Sequence, residues 1–175
     1  MSQTVSVSRI APAEWQSYKR LRLNALEQAP DAFGSTFEET VRRDDSSWQA
    51  RLRDAHPAHD LPLFGRVDGN PVGLAWGMLD ADKHADAYLF QMWVDPGCRG
   101  KGVGRALLAA TIQWARNQRA ARLLLSVTVD DSPAWRMYAA AGFVAQGAPE
   151  PLREGTTLIA QPMALSLHPQ AAQDE

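Results

Sequence analysis

Cysteine is almost missing from this sequence: Cys98 stands alone among 175 residues. No intrachain disulfide can form, and no Cys-x-x-Cys pair exists for metal or redox chemistry. That suits a reducing compartment, and a cytoplasmic location is the expectation. Long apolar runs are missing too. No stretch approaches the ~18 apolar residues of a membrane-spanning helix. The N-terminus lacks the basic start and apolar run of a secretory signal. No membrane partner is expected. Nor is there an excess of charge of one sign. The 18 Lys and Arg against 20 Asp and Glu leave a formal charge of -2, so nucleic acid is not expected as a partner. His56 and His59 lie near Asp60, but Pro57 separates them and no thiolate helps, so no metal site is expected.

What is present suits one soluble globule. Apolar residues make up 45% and charged residues 22%, ordinary values for a packed domain. Residues 1–167 are expected to form a single domain and 168–175 a flexible tail. A short strand is expected over Val5–Ile10, then a helix starting near Pro12 and Glu14 and ending by Pro30. On that helix Trp15, Tyr18, Leu21/Arg22 and Leu26 recur on one side. Phe33 and Phe37 are large for a connector, and suit both plugging the core and lining a cleft. A second helix is expected from Phe37 to Asp54, with an acidic first half: Glu38, Glu39, Asp44 and Asp45.

Leu61–Val67 and Pro71–Leu79 flank Asp68-Gly69, a hairpin signal. Gly73 and Gly77 suggest a bend or bulge in the second strand. Ala87–Val94 returns as a third antiparallel strand. Arg122–Val129 is nearly continuous in apolar residues, as a strand covered on both faces is. A short helix over Pro133–Ala141 ends at Gly142. Phe143–Gln146 and Thr156–Leu165 suit a closing antiparallel pair, with a loop over Glu150–Glu154 between them. The fold class is α/β: a mixed, mostly antiparallel central sheet with helices on both faces.

The chain is organised around Leu89–Ala115. A strand ends near Val94, Asp95-Pro96-Gly97 stops it, and apolar residues then recur at helical spacing from Val103. Between them lies Arg99-Gly100-Lys101-Gly102-Val103-Gly104. A helix start leaves backbone N–H groups without partners, and their dipoles favour an anion. Gly100, Gly102 and Gly104 carry no side chain to hold a phosphate away, and Arg99, Lys101 and Arg105 add positive charge. A diphosphate pocket is one reading, and a plain glycine turn is the other. No Ser or Thr follows a Gly-Lys pair, so this is no ordinary nucleotide P-loop. The Gly-x-Gly-x-Gly spacing also misses the dinucleotide fingerprint.

The run Val94–Leu108 closely resembles the acyl-CoA-binding motif of the GCN5-related N-acetyltransferases. The family pattern Arg/Gln-x-x-Gly-x-Gly/Ala is met by Arg99, Gly102 and Gly104. A second family signature, Asn-x-x-Ala-x-x-x-Tyr-x-x-x-Gly-Phe, is met from Asp131 to Phe143, with aspartate in place of the first asparagine. The resemblance runs from the first strand to about Leu165. It implies an acyl-CoA N-acyltransferase-like fold that uses acetyl-CoA as cosubstrate. The opening would lie between the strands ending at Val94 and Val129. Arg99, Gly100, Lys101, Gly102, Val103, Gly104 and Arg105 would hold the pyrophosphate, and main-chain groups near Met92 and Val94 the pantetheine. Asp131 takes the place of an asparagine and can only accept hydrogen bonds when ionised. Tyr138 would be the general acid for the departing thiolate. An amine would attack the thioester directly, after losing a proton that costs roughly 4 kcal/mol to remove at pH 7. Glu38 and Glu39 are candidate bases, with Asp130 or an ordered water as alternatives. The acidic run over 38–45 tilts the acceptor toward a small cationic amine. Protein or peptide amines, a non-catalytic acyl-CoA-binding role and a nucleotide-binding regulatory role are the rivals. A homodimer is open.

Overall fold

The structure, a computed structural model, describes residues 2–80, 82, 86–128 and 132–168. These form one eight-stranded sheet. Its strands are β1 (Val5–Arg9), β2 (Asp60–Val67), β3 (Asn70–Leu79), β4 (Asp86–Val94), β5 (Arg122–Thr128), β6 (Val144–Ala145), β7 (Glu150–Pro151) and β8 (Ile159–Ser166). The helices are α1 (Trp15–Gln28), α2 (Phe37–Val41), α3 (Asp45–Arg53), α4 (Val103–Asn117) and α5 (Pro133–Ala140). The sheet order is β1-β2-β3-β4-β5-β8-β6, with β7 also on β8. Every described pairing is antiparallel except β4 with β5. No described helix is long and apolar enough to cross a membrane.

The helices divide between the two faces of the sheet. On one face Val103, Leu107, Leu108, Trp114 and Ala115 of α4 pack on Leu63, Ala75, Leu89 and Leu123. On the other, Tyr18, Leu21 and Leu26 of α1 and Trp48 and Leu52 of α3 cover Phe64, Leu74, Trp76 and Trp93. Alternation along β3 explains the split: Leu74 and Trp76 face α1, while Ala75 and Leu79 face α4. Phe33 belongs to the α1 core and also lines the cleft described below, so both readings of it hold.

Two expectations need correction and a third is borne out in part. The single helix over 37–54 is two. Asp44 takes an extended conformation (φ -70°, ψ 164°) and caps α3, accepting the Ser47 N–H at 2.8 Å and the Ser47 hydroxyl at 2.6 Å. A residue that suited to a helix start interrupts the run from within. Second, Glu150–Pro151 is a short strand on the end of β8 rather than plain loop. Third, the expected bulge falls beside Gly73, where the β2–β3 register shifts at Gly65/Arg66. The strand glycines also admit α4. A Cβ on Gly65 would lie 2.5 Å from Val103 Cγ1, and one on Gly77 3.0 Å from Trp114.

Candidate active site

The parallel ladder between β4 and β5 is short. Asp86–Tyr88 pairs with Arg122–Leu124, and pairing stops there while both strands run on. The bidentate Arg122–Asp86 pair (2.9 and 2.7 Å) spans the two strands where they are still joined. Beyond it β4 bulges. It spends an extra residue between the partners of Leu74 and Trp76, and Gln91 takes φ 58°. That conformation is uncommon for a residue with a side chain. The Tyr18 hydroxyl on α1 donates to Gln91 Oε1 at 2.9 Å and holds it. The strands therefore splay, and the edge of β4 that faces β5 keeps its backbone groups for another extended segment.

A cleft of about 1650 Å³ fills the gap. At one end stands the glycine loop. Asp95 accepts the Gly97 N–H at 2.9 Å, and Arg99 Nε donates back to the Val94 carbonyl at 3.1 Å. Gly100 (φ 77°) and Gly102 (φ 89°) take left-handed conformations, and a Cβ on either would meet nothing within 4 Å. Glycine is needed there for the backbone itself. No side chain caps α4 at Gly102, so the first-turn N–H groups remain for an anion. Gly104 has a different reason: a Cβ would lie 3.3 Å from Met137 Sδ on α5.

Tyr138 lines the cleft from α5. It is 5% exposed, and its ring packs on Phe143 at 5.8 Å between centroids. Burial pushes its phenol well above the ordinary tyrosine range, so it keeps its proton at every physiological pH. The cap of α5 is Ser132, which accepts the Trp135 N–H at 3.1 Å.

Met92, Val94, Arg99, Gly100, Gly102, Val103, Gly104 and Arg105 all line the same cleft as Tyr138. The Lys101 side chain is exposed and lies outside the lining. Asp130 and Asp131 fall outside the described residues. Glu38 and Glu39 are exposed on α2 and do not line the cleft. Helical phase is the reason: Phe37 and Thr40 turn inward, and the two glutamates between them face out. Asp44 is spent as a cap, and Asp45 pairs with Lys19 at 2.7 Å.

Glu150, Arg22 and Arg51 are among the lining residues not singled out from the sequence as site candidates. Glu150 is the one carboxylate among the described lining residues. Arg22 and Arg51 enter from the α1 side. Arg22 left a signal, a cation within the apolar stripe of α1.

Residues 22–143 match the family model for the acetyltransferase (GNAT) family, and the chain belongs to that family. It is 28% identical over 136 residues to the mycothiol acetyltransferase of Acidothermus cellulolyticus, covering 75% of this chain but 42% of that protein. It thus spans less than half the length of that relative. It is 29% identical over 140 residues to the L-amino acid N-acetyltransferase AaaT of Escherichia coli, covering 79% of this chain and 83% of that one. The fold is similar to that of YncA from Salmonella typhimurium, solved with its cofactor acetyl-CoA. Here the TM-score is 0.78 at 19% identity, and 98% of each chain is covered.

Proposed function

We propose that this GNAT-family chain is an N-acetyltransferase that moves an acetyl group from acetyl-CoA to the amine of a small molecule. The observation that carries the reading is the splayed β4–β5 gap, with an uncapped, glycine-opened helix start at one end and a buried tyrosine on its wall. The residues present fit acetyl-CoA. The N–H groups at the start of α4, with Arg99 and Arg105, suit a pyrophosphate. The free edge of β4 near Met92 and Val94 suits the amides of a pantetheine arm. Bound there, acetyl-CoA would supply a thioester. YncA, whose fold is similar, was solved with acetyl-CoA, which supports that cosubstrate.

The chain's own groups account for the protons. An N–C bond forms as the C–S bond breaks. The attacking amine releases one proton, and the departing sulfur needs one. Tyr138, held neutral by burial, donates to the sulfur and is reprotonated by solvent. The amine proton passes to water in the cleft, which Glu150 also lines. Cys98 lines the cleft but needs no covalent role, since direct attack completes the transfer. The names of two relatives, a mycothiol acetyltransferase and an L-amino acid N-acetyltransferase, support a small-molecule acceptor. The cationic acceptor expected from the 38–45 run finds no support in the cleft, where that run does not appear.

Thiol release from acetyl-CoA over a panel of small amines tests this. Tyr138→Phe should lose about 10²-fold in kcat, with acetyl-CoA binding unchanged within threefold. Full activity in that variant would remove Tyr138 from the chemistry.

A further inference from the structure

Arg22 is an exception to how charge is handled in this protein. It is 6% exposed, yet its Nη1 is buried with no hydrogen-bond partner. No ion pair to it occurs among the described residues. Its guanidinium lies 4.7 Å over the Phe33 ring, which relieves only part of the cost of a desolvated charge. Burial, reinforced by Arg51 and Arg43 nearby, draws it down to about 10, so it is still charged at pH 7. Arg51, stacked 4.5 Å over Trp76, lines the same cleft.

The position of Arg22 separates it from the phosphate loop. It comes from α1, on the sheet face opposite α4, and both meet at the β4–β5 gap. An anion held by α4 is therefore approached from its own face, and Arg22 serves whatever enters from the other. Arg153 Nη1 fixes that entrance by donating to the carbonyls of Phe33 (2.8 Å) and Pro30 (3.2 Å).

We infer that Arg22, assisted by Arg51, forms an anion-binding subsite for the acceptor, so that the amine acetylated carries a carboxylate. This rests on the acetyl-transfer reading above and deepens it. A planar carboxylate in the cleft matches the guanidinium fork and compensates a charge that nothing among the described residues pairs. The amine on the same molecule is thereby aimed along the cleft toward the thioester. The buried charge holds the site ready for an anion and disfavours amines without one.

The test compares L-amino acids with their carboxamides and decarboxylated amines in the thiol-release assay. Carboxylates should exceed both analogues by tenfold or more in kcat/KM. Arg22→Met should bring the three series within threefold of one another, and the exposed Arg51→Gln should narrow the gap without affecting folding. The KM of acetyl-CoA should stay constant in both variants. Amides equal to carboxylates in the wild type, or a preference that survives Arg22→Met in folded protein, would overturn the subsite. A second readout needs no turnover: titration of N-acetyl-L-amino acids and their amides into wild type and Arg51→Gln. Selective binding of the acids without any acetyl transfer would sink the enzyme reading and keep the subsite. Transfer without acid selectivity would do the reverse.

Discussion

Tyr138 and Arg22 are both buried ionisable groups at one cleft, and burial acts on them in opposite directions. The phenol is driven up and the guanidinium down, each toward its neutral form. For Tyr138 the sign is simple. Its proton is retained more tightly in the fold than in free tyrosine, so raising pH below 10 does not ionise it. A kcat–pH profile should therefore rise with amine or base deprotonation and show no fall assignable to Tyr138 below pH 10. A fall near pH 8 that vanishes in Tyr138→Phe would contradict this. The tyrosine was legible because it sits in a motif. Arg22 was visible only as a cation on an apolar stripe, and its missing partner is a matter of three-dimensional packing. Glu38 and Glu39 misled for the same reason: composition shows charge, whereas helix phase decides which way it points.

The strand–loop–helix unit is the element whose sequence says most. The change of hydrophobic period, the glycine turn and the α4 stripe all survive in the structure. Gly102 needs its left-handed φ, so Gly102→Val should strain the loop by about 1–3 kcal/mol. It should also weaken acetyl-CoA binding at least tenfold, as read by titration. Gly77→Ala acts elsewhere: its methyl would press on Trp114, outside the cleft lining, and overpacking costs about 1–3 kcal/mol. Its urea midpoint should fall while KM values stay near wild type. The β4 bulge was hidden, because Gln91 is no turn residue and its conformation is held by Tyr18 from far away in sequence. The α2–α3 break was present in Asp44 and was masked because Val41, Trp48 and Leu52 keep helical spacing across it.

Across the entire chain, the fold class was legible because the hairpin, the strand–turn–helix unit and the closing pair each carry their own local signal. The splay was not legible in any local pattern, since it depends on how far β4 and β5 stay paired, and it was expected only from the family resemblance. Nor was the cleft's charge legible. The protein carries a formal -2, yet the described lining contains Arg22, Arg51, Arg99 and Arg105, besides Arg122 held by Asp86, with Glu150 its one carboxylate. Such a cleft concentrates anions against the net charge of the molecule. Binding of acetyl-CoA should accordingly weaken several-fold between about 50 and 500 mM salt, because screening shortens the reach of that field. Calorimetric titration of the folded protein with acetyl-CoA, with ATP and NAD as controls, is the decisive step. Saturable one-to-one binding of acetyl-CoA, with neither control nucleotide binding comparably, is the expected result. Folded protein that takes up no acetyl-CoA, or binds ATP or NAD equally well, would leave the splayed sheet without the cosubstrate assigned to it.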